Sequence, residues 1–127
     1  MAQSVREAMT SNPKTVEPSA PIVEAARIMR DEDTGAVPVV ENGRPVGIVT
    51  DRDIVAHVVA EGRDPNSVTV DDIATRELVT IGSDQDVAEA RQLMNQHELD
   101  RVLVVEDDRL VGIISEADLR SDEGPLA

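Results

Sequence analysis

The chain of 127 residues sets 26 Asp and Glu against 12 Lys and Arg, a net charge of −14, and contains no Phe, Tyr, Trp or Cys. That charge argues against nucleic-acid or anionic-membrane partners, whose phosphates are held by clustered Lys and Arg. The missing cysteines exclude disulfides, thiolate metal sites and a Cys nucleophile, and the missing aromatics leave a core of Val, Ile, Leu, Ala and Met.

Ser4-Val-Arg-Glu7 has the spacing of a capping box and predicts a short helix through Met9. Residues 14–16 read as a brief extended piece. Ser19, inside Pro18-Ser-Ala-Pro21, is the expected N-cap of an amphipathic helix with Ile22, Ala25, Ala26 and Met29 on one face. Two apolar runs, 36–40 and 46–49, flank Glu41-Asn-Gly-Arg44, and Asn-Gly predicts a tight hairpin. A helix follows Thr50 and is expected to reach about Glu61, where Gly62 and Asp64-Pro-Asn66 end it.

The same series then returns at an offset of 65. Thr69-Val-Asp-Asp72 repeats the capping box, and 79–81 the extended piece. Ser83 with Asp86 forms the next expected box, before a stripe of Val87, Ala90 and Met94. A second hairpin joins 101–105 to 111–114, Ser115 opens the last helix, and 121–127 reads as a loose tail. Residues 9–54 align on 74–119 without a gap and with 14 of 46 pairs identical, against about three for unrelated chains of average composition. The repeats, 1–64 and 65–127, each of the form α-β-α-β-β-α, are too small to bury both faces alone. They are expected to pack about a pseudo-two-fold axis as one α+β module. No run of 18 apolar residues and no signal-peptide pattern is present, which predicts a cytoplasmic protein.

Each hairpin ends in Val-Gly-Ile followed by an apolar residue and then Thr50-Asp-Arg-Asp53 or Ser115-Glu-Ala-Asp118. This arrangement, with the helices carrying Ala25 and Ala90, resembles the CBS domain, and two copies resemble a Bateman module over residues 4–121. The Thr-Asp-Arg-Asp-Ile stretch and Asp64-Pro-Asn66 are similar to small stand-alone CBS pairs of the hypoxic-response type. The resemblance implies clefts between the repeats that bind AMP, ADP, ATP or S-adenosylmethionine, in a flat homodimer that signals energy state to a partner protein. It implies that Asp53 and Asp118 bond ribose hydroxyls and that Thr50 and Ser115 help hold the ligand. An Arg at the start of the first hairpin strand meets phosphate in such proteins. Here that position is Arg101 in the second copy, but Ala36, followed by Val37, in the first; Arg52 is the substitute donor there.

On the residues alone, Thr50-x-x-Asp53 and Ser115-x-x-Asp118 are equally capping boxes, and Arg101 can pair with Asp100 or Glu98. Helix N-termini at these corners would offer N–H groups to an anion. His57 and His97 lack metal-site spacing, and no P-loop, dinucleotide-binding glycine pattern or Ser-His-Asp set occurs. The expectation is a non-enzymatic ligand-binding module needing no cofactor or metal. A ligand-independent homodimeric scaffold is the alternative, and an enzyme would need a perturbed carboxylate in a cleft.

Overall fold

A computed structural model describes residues 3–123. In chain order it contains α1 (Val5–Ala8), β1 (Thr10–Ser11), α2 (Ile22–Glu32), β2 (Ala36–Glu41), β3 (Arg44–Thr50) and α3 (Asp51–Ile54). A π-helical turn (Val55–Val59) follows, then α4 (Val70–Ile73), β4 (Thr80–Gly82), α5 (Val87–His97), β5 (Arg101–Glu106), β6 (Arg109–Ser115) and α6 (Glu116–Glu123). Mixed helices and sheets make the fold α+β, as expected. Among the described residues no helix is long and apolar enough to cross a membrane.

By contacts the chain forms two compact units, residues 14–78 and residues 1–13 with 79–127. The sequence repeats divide at 64/65, so the division by packing is a different one. Each short leading helix packs against the other repeat's residues. The Val5 and Arg6 N–H groups donate to the Gln85 and Ser83 carbonyls at 2.7 and 2.9 Å, and the Val87 N–H donates to the Gln3 carbonyl at 2.9 Å. In the other unit, Val70 and Asp71 donate to Ala20 and Pro18 at 2.8 and 2.9 Å, and Ile22 donates to Val68 at 2.7 Å. Every one of these residues is the +65 equivalent of its counterpart.

Two expected caps do not form. The N-caps of α2 and α5 are Pro21 and Asp86, neither with a side-chain cap bond. Backbone carbonyls of the exchanged segment satisfy the first N–H of each helix; in α2 this is the Ile22 N–H, the group that a Ser19 cap would serve, while the Ser83 hydroxyl bonds Glu106 instead. The capping box at Ser4 and Glu7 does form. At α4 the Thr69 N–H reaches Asp72 Oδ2 at 3.3 Å.

In one unit β1-β6-β5-β4 make a four-stranded sheet, antiparallel except for the parallel β5–β4 pair. In the other, β2 and β3 pair antiparallel, with bridges Ile48↔Thr75 and Val16↔Val39 where the outer strands would lie. Both hairpins turn on two residues of positive φ, Asn42-Gly43 and Asp107-Asp108, the geometry that matches strand twist. Val16, Ile22, Ala25, Val37, Val39 and Val49 build one core. Ile81, Val87, Ala90, Val102, Val104 and Ile114 build the other. Met29 and Ala26 are partly buried, whereas Met94 is buried. The helix expected to run from Thr50 to Glu61 changes to π-helical at Val55. The tail expected from 121 is helical through Glu123, and 124–127 lie outside the described residues.

Candidate functional site

Two strand-to-helix corners carry the residues singled out from the sequence, one per unit. Thr50 is extended (φ −114, ψ 162) and caps α3: the Asp53 N–H donates to Thr50 Oγ1 at 3.1 Å, and the Thr50 N–H donates to Asp53 Oδ2 at 2.9 Å. Ser115 does the same for α6. The Asp118 N–H donates to Ser115 Oγ at 3.3 Å, and Asp118 Oδ2 accepts from the Ser115 N–H and hydroxyl at 2.9 and 3.2 Å. Both capping boxes are therefore formed. The bonds that hold each carboxylate use its Oδ2, and an ionised carboxylate offers about four acceptor sites. A vicinal diol presented to the remaining lone pairs matches that capacity.

A second bond closes each corner from the far strand. The Asp51 N–H donates to the Gly35 carbonyl and the Glu116 N–H to the Asp100 carbonyl, both at 2.9 Å. Sequence spacing gave no signal for these carbonyls. They change the chemistry expected of the α3 terminus, because Asp51, Arg52 and Asp53 N–H groups all have acceptors: Gly35 O, Asp51 Oδ1 and Thr50 Oγ1. The N–H groups of Glu116 and Asp118 are engaged likewise. The expectation that the α3 terminus would offer open N–H groups to an anion is corrected. At the α3 terminus an anion would have to be met by side chains.

The pairing register places those side chains. Arg101 lies directly opposite Ser115 and Ala36 directly opposite Thr50, so each pair shares one face of its hairpin. Arg101 and Ser115 are thus neighbours, with Asp118 bonded to Ser115. In the other unit Ala36 and Val37 are buried, at 3% and 0% exposure, and Val37 belongs to the core. Neither has a side-chain donor. Arg52 is exposed on α3, beside Asp53.

Arg101 is already engaged. Its Nε donates to Asp100 Oδ1 at 2.9 Å and its Nη2 to Asp100 Oδ2 at 2.8 Å, a two-bond fork. These bonds hold the Asp100 carboxyl below its ordinary range, against an opposing effect of desolvation. The pairing foreseen with Asp100 or Glu98 is with Asp100.

A further cluster was missed from the sequence. Ser83, 2% exposed, bonds Glu106 and accepts from Arg6 Nη2 at 2.9 Å, while Arg6 Nη2 meets Glu106 Oε2 at 3.0 Å. It joins α1 to the β5–β6 hairpin. These residues, with Gly82, Asp84, Val105, Asp107 and Asp108, line a cavity of about 480 Å³. The available signal was that Ser83 aligns with Pro18, which cannot cap through a side chain. His57 and His97 are exposed.

The model of the family described as CBS domain matches residues 5–60 and 70–122. CBS domain-containing protein YhcV of Bacillus subtilis is 40% identical over 116 residues, covering 91% of this chain and 82% of that protein. Hypoxic response protein 1 of Mycobacterium tuberculosis is 34% identical over 117 residues, with the same coverages of 91% and 82%. A crystal structure of Hypoxic Response Protein I with two coordinated zinc ions matches with a TM-score of 0.84 at 33% identity, over 94% of this chain and 98% of that one. The CBS domain pair of protein MJ0100, in complex with 5′-methylthioadenosine and S-adenosyl-L-methionine, matches with a TM-score of 0.84 at 28% identity, over 98% of each chain.

Proposed function

The chain belongs to the CBS-domain family, and we propose that it is a non-enzymatic regulatory module. It binds an adenosyl ligand (AMP, ADP, ATP or S-adenosylmethionine) at the Thr50–Asp53 and Ser115–Asp118 corners and signals the bound state to a partner protein. The carrying observation is the doubled corner: a cap-held aspartate whose carboxylate retains acceptor capacity for a ribose diol. The adenosyl compounds bound by the MJ0100 pair support the ligand class. Thr50 and Ser115 fix each carboxylate. Ala36 and Val37 contribute backbone and shape, Arg52 is the cation nearest in sequence at the first corner, and Arg101 is the phosphate donor at the second. Signalling requires that the ligand favour one of two arrangements of the module or its assembly.

Calorimetric titration with AMP, ADP, ATP and S-adenosylmethionine tests this reading. Micromolar binding of at least one ligand is expected, with Asp53→Ala or Asp118→Ala abolishing the corresponding site. Absence of heat with every ligand, in folded protein free of co-purified nucleotide, overturns it. A homodimeric scaffold is the second reading, favoured by Val55 and Val59, which are 59% and 67% exposed on the π-helical turn. Light scattering that shows a strict monomer removes that reading.

A further inference from the structure

At the start of the first hairpin strand the two corners differ by a pair of residues rather than by one. Where the second has Asp100-Arg101, the first has Gly35-Ala36. The backbone task at the leading position is the same in both, since the Gly35 and Asp100 carbonyls each accept the first helical N–H at 2.9 Å. Closing the corner therefore needs no side chain at position 100. The Asp100 side chain does something else: it occupies the Nε/Nη2 edge of the Arg101 guanidinium, at 2.9 and 2.8 Å. A planar guanidinium binds phosphate through the same fork. Arg101 is the more enclosed partner, its side chain 24% exposed against 62% for Asp100. The carboxylate can therefore swing into solvent while the guanidinium stays beside Ser115.

We propose that Asp100 is an internal competitor for the Arg101 guanidinium, and that it sets how strongly the Ser115–Asp118 corner discriminates phosphate-bearing from phosphate-free ligands. A ligand phosphate that takes the Nε/Nη2 edge must displace the Asp100 carboxylate, so the affinity gained from phosphate there is reduced by the strength of the internal pair. The acidic surroundings sharpen this. Glu116 and Asp118 flank the corner and add no cation, leaving Arg101 as its phosphate donor. The first corner has neither the cation nor its competitor at the equivalent places and is indifferent to phosphate at that position. Asp100 is a specificity-determining residue on this view, acting through Arg101.

The identity of the ligand rests on the adenosyl reading above, while the competition does not. In Asp100→Ala, AMP is expected to bind about two- to five-fold more tightly, the range of a partly exposed ion pair. Adenosine is expected to bind unchanged, and the gain is expected to vanish in Asp100→Ala/Arg101→Ala, as a double-mutant cycle requires. Equal tightening of adenosine, an unchanged AMP affinity, or a gain that survives loss of Arg101 overturns the proposal. If neither adenosine nor AMP binds any variant, the adenosyl reading fails. Pyrophosphate titration followed on the Arg101 Nε–H resonance then decides the competition by itself. A lower midpoint in Asp100→Ala supports it, and equal midpoints or no response overturn it.

Discussion

Gly112 and Thr10 meet backbone to backbone: a Cβ at position 112 would stand 2.9 Å from the Thr10 carbonyl oxygen and would overlap the Met9 sulfur. The equivalent Gly47 would place a Cβ 3.0 Å from the Thr75 carbonyl oxygen and 3.5 Å from Ala74 Cβ. The glycine of each Val-Gly-Ile motif is where the segment following α1 or α4 crosses the hairpin. Thr10 and Ser11 pair with Ile113 and Gly112 there. Since the opposing atom is backbone, relief requires moving a strand. Gly112→Ala is expected to cost about 1–3 kcal/mol, and Gly47→Ala less, measured by urea denaturation. A neutral Gly112→Ala would mean that residues 9–11 do not dock in solution.

The hairpin turns give an internal comparison. Gly43 has φ 82 and its equivalent Asp108 has φ 64, a region that costs a side chain about 1–2 kcal/mol, less for Asp. Gly43→Ala is expected to destabilise by about 1 kcal/mol. Asp108→Gly is expected to be neutral or stabilising by a few tenths, because relieved strain offsets the greater entropy of the unfolded chain. Thermal unfolding of the two variants checks the opposite responses.

The repeat, both hairpins and the Thr50 and Ser115 caps were legible because each is written in local spacing. What escaped depends on distant partners. Ser19 has the composition of a cap, but the Ile22 N–H that it would serve is taken by the Val68 carbonyl, and no local rule encodes that exchange. Ser83 instead meets Arg6 and Glu106. The corner carbonyls of Gly35 and Asp100 are backbone groups, so their residue types carry no signal. The π-helical turn at 55–59 was likewise invisible to apolar spacing.

Glu106 reports on the exchanged helix through its ionisation. Its carboxyl is held below the ordinary range, first by the Ser83 hydroxyl and then by Arg6. A depressed folded pKa means that this contact stabilises above the unfolded value and is lost as pH falls through the folded one. Acid should therefore loosen α1 from the hairpin as pH falls below the ordinary glutamate value of 4.5. The NMR titration of the Glu106 carboxyl should have a low midpoint that rises in Ser83→Ala and, by less, in Arg6→Ala. A midpoint unmoved by Ser83→Ala would show that the cluster does not form in solution.

Asp53→Glu separates the two roles that sequence spacing left joined. Asp53 is the third helical residue, and its carboxylate caps back to the Thr50 N–H at 2.9 Å. Glutamate is the preferred residue at that place in a capping box, so the longer side chain keeps the cap and stability should change by no more than about 0.5 kcal/mol. The extra methylene nevertheless moves the acceptor oxygens. A ribose diol bonded to Asp53 would lose two aligned hydrogen bonds, each worth about 0.5–1.5 kcal/mol, so adenosyl affinity at this corner should fall about ten-fold or more. Asp53→Ala, by contrast, should lose the ligand and about 0.5–1.5 kcal/mol of stability together, the worth of the bond to the Thr50 N–H. Calorimetry beside urea denaturation on both variants gives the answer. Affinity retained in Asp53→Glu would assign Asp53 to the cap alone and move the ribose contact elsewhere.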